Sequence, residues 1–249
     1  MSKPTILLVP GAWHTPQHYG VLLGSLEKAG YSTLAGRLPS VGALDPRDKD
    51  VATDTAHVRE LLMSEIERGS EVLLLMHSYG GIPGAAAAKG LSISERQADG
   101  KRGGVVGLLF ISAFVMNEGD SMVKPGDEPA PWAVLDKSTG YLDVDGPEHV
   151  FYNGATEEQA AQAIAGMEQH AFTTLITPSP PPAWPDKEFN GKRGYIKCHL
   201  DNAIPIAGQE AMLQYSGVEW KVLSLEDAGH APFLTHVDQI TEFVEEVLK

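Results

Sequence analysis

Three side chains in this 249-residue chain have the types and surroundings that nucleophilic catalysis needs. Ser78 stands in His77-Ser78-Tyr79-Gly80-Gly81, directly after the apolar run Val72 to Met76 and shortly before the small-residue stretch Ala85 to Ala88. A serine hydroxyl is a weak nucleophile, so it works only when exposed on a tight turn beside a base and near donors for a developing oxyanion. A strand, a sharp turn and a helix give that exposure, and Gly80 and Gly81 leave room for the turn. Nine histidines offer a base; His236 falls in an expected helix, whereas His230 lies within Gly229-His230-Ala231-Pro232-Phe233 after the apolar Val222 to Leu225. On a loop there it would take the serine proton and later return it to a leaving group. The remaining need is a carboxylate to orient the imidazole, and Asp201, Glu118, Asp120, Glu226 and Asp227 are the candidates.

These groups need a scaffold, and the patterning supplies one. Short apolar runs alternate with amphipathic stretches, the signature of parallel strands joined by crossover helices, so the fold class is α/β. Strands are expected at Thr5 to Pro10, Ser32 to Arg37, Glu71 to His77, Val105 to Phe114, Gly194 to Cys198 and Trp220 to Leu225. Several are nearly continuous Val, Ile and Leu, as when helices cover both faces of a sheet. Helices are expected at His18 to Ala29, Lys49 to Arg68, Gly81 to Lys89, Pro205 to Tyr215 and His236 to Leu248. Residues 117–190 break this rhythm with Pro, Gly, acidic residues and several aromatics. Within them Ala155 to Phe172 is alanine-rich, and Thr156 is placed to cap a helix. A segment that long, set into the alternation after the fourth strand, reads as a lid over a single domain of residues 1–249. Gln97 to Gly104 reads as an exposed polar loop.

The serine turn resembles the nucleophile elbow of the α/β-hydrolase superfamily, G-x-S-x-G, with Met76 in place of the first glycine. Two further loops extend the likeness. Leu7-Leu8-Val9-Pro10-Gly11-Ala12-Trp13-His14 is similar to the superfamily's oxyanion loop, with Pro10 where a histidine is usual. Cys198-His199-Leu200-Asp201-Asn202-Ala203-Ile204-Pro205 resembles the acid loop of its small esterase and hydroxynitrile-lyase branch. The resemblance implies a six-stranded α/β-hydrolase sheet, with the backbone N–H groups of Ala12 and Tyr79 as oxyanion donors. Asp201 satisfies its chain order of Ser, acid, then His, and the likeness of the loop around it to the branch's acid loop implies Asp201 rather than the other candidates. It also implies an esterase rather than a lyase, because Ala231 occupies the place of the lyases' lysine. The expected activity is hydrolysis of an ester or lactone of a small, largely apolar or aromatic metabolite. Cleavage of a β-diketone carbon–carbon bond, or ligand binding by a retained hydrolase fold, are the alternatives. Trp13, His14, Met116, Trp132 and Trp184 are the candidate substrate contacts.

Composition narrows the rest. Nineteen Lys plus Arg against 33 Asp plus Glu leave a net charge of −14, which opposes a nucleic-acid backbone. No apolar run approaches the roughly 20 residues that span a bilayer, and the first residues lack a signal-peptide core. One cysteine, Cys198, forms no internal disulfide and fits a cytoplasmic location. His14 and His18 have the spacing of a zinc pair but lack its glutamate, and Pro16 interrupts the helix that would align them. Neither a metal nor an organic cofactor is expected. The expected partner is a small-molecule substrate, with a homodimer left open.

Overall fold

The computed structural model describes residues 3–249. Nine strands run β1 (Thr5–Val9), β2 (Ser32–Ala35), β3 (Glu71–His77), β4 (Gly104–Ile111), β5 (Ala133–Asp136), β6 (Tyr141–Val144), β7 (His170–Ala171), β8 (Arg193–Cys198) and β9 (Lys221–Leu225). Between them lie α1 (Gly20–Lys28), α2 (Val51–Ile66), α3 (Gly81–Ala87), α4 (Ile93–Ala98), α5 (Pro147–Val150) and α6 (Glu157–Ala165). Then come α7 (Thr173–Ile176), α8 (Ile206–Ser216), α9 (Pro232–Thr235) and α10 (Val237–Val247). Six strands form one parallel sheet in the order β2-β1-β3-β4-β8-β9. This is the expected α/β-hydrolase sheet.

The central strands are apolar because both faces are covered. Val72 to Met76 and Leu108 to Ile111 are fully buried. Helix α2 turns Val51, Val58, Leu62 and Ile66 inward, and its first turn is capped by the Asp50 side chain, which accepts from the Thr53 N–H at 2.8 Å. Helix α3 is buried along its whole length and consists of Gly and Ala apart from Ile82 and Pro83. A Cβ on Gly84 would stand 2.6 Å from the Met76 sulfur, so larger residues would push the helix off β3. Helix α10 covers the other face with Ile240, Phe243, Val244 and Val247.

The chain leaves β1 toward β2 on one side and returns to β3 on the other. That reversal opens a crevice at the carboxyl ends of β1 and β3, the place where open α/β sheets bind ligands. Val9 pairs with Met76, so the turns that follow, at Pro10 and Ser78, emerge side by side.

Residues 117–190 contain elements that the aromatic, proline-rich composition did not reveal. These are the antiparallel sheet β5-β6-β7, whose strands are two to four residues long, and the short helices α5 and α7. The predicted cap at Thr156 is present, with its side chain accepting from the Gln159 N–H at 3.2 Å, but α6 ends at Ala165 rather than Phe172. Ala171 N–H donates to the Ser40 carbonyl, Ala183 N–H to that of Ala85, and Gln159 to that of Leu234. The segment is thus tied to the sheet domain at several points. The polar stretch read as a loop begins inside α4 and is exposed from Gln97 to Arg102. No helix among the described residues is long and apolar enough to cross a membrane.

Several titratable groups lie inside this fold. Burial holds His14, His18, His77 and His170 below the usual histidine range, His170 at about 3. As pH falls below about 6.5 the unfolded chain takes up protons that these folded imidazoles refuse, so folding stability declines. Asp54, raised by burial to about 6, acts in the opposite sense, adding stability near pH 4 that is lost as pH rises to 6. Four groups outweigh one, so the melting temperature is expected to fall from pH 7 to pH 4. His170→Gln should make that decline shallower in a thermal-melt series over the same range.

Candidate active site

Ser78 sits at the end of β3 with φ of +53°, in the left-handed region that a non-glycine residue enters at a cost of ~1–3 kcal/mol. The strain turns its hydroxyl out of the strand line into the crevice, and the turn is held by the Phe114 N–H donating to the Ser78 carbonyl at 3.0 Å. The fit with the neighbouring loop is close. A Cβ on Gly80 would lie 2.4 Å from the Pro10 carbonyl oxygen and 2.5 Å from that of Val9, which only glycine avoids.

His230 lies between β9 and α9, and its Nε2 is 3.0 Å from Ser78 Oγ. Its Nδ1 is 2.8 Å from Asp201 Oδ2, with both side chains buried. A carboxylate only accepts, so Nδ1 carries the proton and Nε2 is left to accept from the serine hydroxyl. Asp201 is fixed in turn. Its Oδ1 accepts from the N–H groups of Ala203 and Ile204, both at 2.8 Å, in the turn that leads into α8. The other acids are elsewhere: Glu118 and Asp120 are exposed, Glu226 pairs with His199, and Asp227 pairs with His236.

A second chain of hydrogen bonds runs behind the serine. His77 is fully buried and neutral, and its Nε2 is 2.9 Å from the His230 carbonyl, which can only accept. His77 Nδ1 therefore accepts from the Tyr19 hydroxyl at 2.8 Å, and the Tyr19 oxygen accepts from the Gly11 N–H at 3.0 Å. This relay ties the loop after β1, the residue before Ser78 and the His230 loop together. Neither Tyr19 nor His77 stood out in the sequence as a functional residue. The only hint was the position of His77 beside Ser78.

Beneath Tyr79 lies a further network that the sequence did not signal. The Tyr79 hydroxyl donates to Asp54 Oδ2 at 2.7 Å, and Ser40 donates to the same carboxylate through its N–H and hydroxyl. In the helical pattern of α2, Asp54 passed for one of the polar residues between apolar positions, yet it is completely buried.

The crevice is an apolar cleft of about 620 Å³, mouth included, with Ser78, Ala12 and Tyr79 in its wall. Trp13, Phe114, Met122, Trp132, Phe151 and Leu175 supply much of its lining, and no charged side chain takes part. Trp13 and Trp132 meet edge to face at 5.8 Å, while the Phe151 ring lies 5.5 Å from that of His230. Three expected contacts are not in this wall. His14 is buried behind it, bonded to the Ala12 carbonyl and to Tyr152. Trp184 is buried against Trp220 and spends its N–H on the Met116 carbonyl at 3.1 Å, so Trp184 and Met116 brace one another outside the lining. No group of three or more His, Cys, Asp or Glu with metal-holding geometry occurs among the described residues. Burial at the end of β8 pushes the Cys198 thiol well up, which makes it a poor nucleophile.

Residues 6–243 match the family model described as "Alpha/beta hydrolase family". The chain belongs to the alpha/beta hydrolase family. Among relatives, this alpha/beta hydrolase is 29% identical to alpha/beta hydrolase nvfD of Aspergillus novofumigatus, over 98% of this chain and 96% of that one. It is 25% identical to putative methylesterase 11, chloroplastic, of Arabidopsis thaliana, over 90% of this chain and 58% of that one. Of solved structures, a pyrethroid hydrolase from Sphingobium faniae JZ-2 shares the fold with a TM-score of 0.74, at 23% identity over 98% and 97% of the two chains. The family and the site geometry together make the protein an enzyme of the hydrolase class.

The contact between the two turns is testable in this alpha/beta hydrolase. Gly80→Ala is expected to force the serine turn away from Pro10, lowering stability by about 1–3 kcal/mol in chemical denaturation and hydrolytic rate by more than tenfold. Wild-type stability and rate in this variant would show that the contact tolerates a methyl group.

Proposed function

We propose that this protein is a serine hydrolase that cleaves an ester or lactone of a small, uncharged, largely apolar or aromatic metabolite. The observation that carries the reading is the continuous line from Ser78 Oγ through His230 to Asp201, with spacings of 3.0 and 2.8 Å, opening into an apolar cleft. In this reading Ser78 Oγ attacks the carbonyl carbon as His230 Nε2 takes its proton. The resulting oxyanion is held by the backbone N–H groups of Ala12 and Tyr79, donors that are oriented before the charge appears. Collapse breaks the ester C–O bond, and His230 passes its proton to the leaving alkoxide. Water then attacks the acyl-enzyme with His230 as base, releasing the acid and restoring Ser78. Asp201 keeps the imidazole in the required tautomer throughout and stabilises the imidazolium.

The cleft favours uncharged substrates, because no charged side chain in its lining would compensate the desolvation of an ion. Trp13, Trp132 and Phe151 present ring faces and edges suited to an aromatic or alicyclic group. Hydrolysis rather than lyase chemistry agrees with Ala231, buried and uncharged beside the base. A putative methylesterase among the sequence relatives accords with the same bond type.

The test is turnover of p-nitrophenyl butyrate by purified wild type and variants. Ser78→Ala is expected to abolish turnover with an unchanged melting temperature. Asp201→Asn should lower kcat by roughly 10³–10⁴ by imposing the wrong tautomer. Full activity in Ser78→Ala would refute the assignment of the nucleophile, and full activity in Asp201→Asn that of the acid.

A further inference from the structure

We infer that Tyr152, on the 117–190 segment, is a positioning residue for the oxyanion hole: its hydroxyl fixes the ring of His14, and His14 fixes both peptide planes that flank Ala12. The inference rests on the proposed reading of the Ala12 N–H as an oxyanion donor.

His14 makes two bonds to the loop it belongs to. Its backbone N–H donates to the Gly11 carbonyl at 3.3 Å, and that carbonyl shares a peptide plane with the Ala12 N–H. Its ring Nδ1 is 2.7 Å from the Ala12 carbonyl on the other side of the residue. A carbonyl only accepts, so Nδ1 carries the proton. Burial keeps the ring neutral, and Nε2 is left with a lone pair. The Tyr152 hydroxyl, 3.0 Å from Nε2, is the donor that fills it. The direction of every bond from Tyr152 to Ala12 is therefore determined, and a ring flip of His14 would break both side-chain bonds at once.

The loop needs such ties because it is strained. Trp13 has φ of +62°, a left-handed conformation that a bulky side chain adopts only when its surroundings impose it. The imposing bonds come from the same segment: Trp13 Nε1 donates to the Leu142 carbonyl at 2.8 Å, and the Glu168 N–H donates to the Trp13 carbonyl at 3.0 Å. Three hydrogen bonds thus reach from residues 117–190 onto Trp13 and His14. The residue after Tyr152 serves the opposite wall of the site. Asn153 donates to the Leu200 carbonyl, next to Asp201, at 2.5 Å, and its backbone carbonyl lies so close to Gly229 that a Cβ there would be 2.2 Å away. The segment that shapes the cleft is in this way also part of the frame that aims the catalytic groups.

Tyr152→Phe keeps the ring and removes only the hydroxyl. With p-nitrophenyl butyrate, kcat is expected to fall about tenfold, less than the roughly 10²–10³ that follows outright loss of an oxyanion donor, while KM stays within about twofold. Affinity for an alkyl trifluoromethyl ketone, whose hemiketal oxyanion occupies the hole, should weaken by the same factor as kcat/KM. His14→Asn can still donate to the Ala12 carbonyl but does not reach Tyr152, and it should match Tyr152→Phe. It also serves if Tyr152→Phe does not fold. The double variant should be no slower than either single one, since both cut the same strut. Unchanged kcat, a rise in KM alone, or effects that multiply in the double variant would overturn the inference while leaving the hydrolase reading intact. A wild-type protein with no turnover of any ester would overturn both.

Discussion

His230 is bound from every side, and the site depends on that. Its Nδ1 is committed to Asp201, its Nε2 to Ser78, and its own carbonyl accepts from His77 Nε2. Because His77 directly precedes Ser78, Ser78 and His230 are joined twice, once through their own side chains and once through the His77 ring and the His230 carbonyl. Each bond originates at the carboxyl end of a strand: β3 gives Ser78 and His77, β8 leads into Asp201, β9 into His230, and β1 into Gly11 behind Tyr19. Sheet register therefore converts directly into the geometry of the proposed triad. A rigid parallel sheet with both faces covered is the kind of support such spacing requires.

Much of the polar apparatus around Ser78, His230 and Asp201 is neutral by burial. His14 and His77 lie in an aromatic cluster with Tyr19, Phe151 and Phe233, where a charged imidazole would be strongly disfavoured. A neutral histidine has one donor and one acceptor, so in each case a carbonyl on one side dictates a hydroxyl donor on the other. Tyr19 and Tyr152 fill these places. This pairing makes the network directional, and its direction is what holds the loops after β1 and β9 in one arrangement.

The strands were legible because continuous apolar runs and turn residues bound them closely; the expected Glu71 to His77 is β3 to the residue, and the others shift by one to three positions. The placement of the loops that carry Ser78, Asp201 and His230 was legible for a related reason: each lies where an apolar run stops abruptly. Residues 117–190 were not, since strands of two to four residues carry too little alternation to read, and their pairing is decided by contacts with Val41, Trp13 and Ser40 far away in sequence. His14 was read as a pocket residue because it adjoins the expected oxyanion loop, and Trp184 because it is an aromatic of residues 117–190; both places suit substrate and packing alike. Only the bonds they make, to Ala12 and Tyr152 in one case and to Met116 in the other, assign them to the frame. Asp54 was hidden for the converse reason: one acid in an amphipathic helix gives no sign that Ser40 and Tyr79 wait to receive it.

That Ser78 is an activated nucleophile is the claim on which the functional account stands. Reaction of the wild-type protein with a fluorophosphonate, followed by intact-mass and peptide mass spectrometry, addresses it most directly. The account predicts a single adduct on Ser78, with labelling that slows by orders of magnitude in His230→Ala. An unlabelled protein, or an adduct on a different residue, would contradict it.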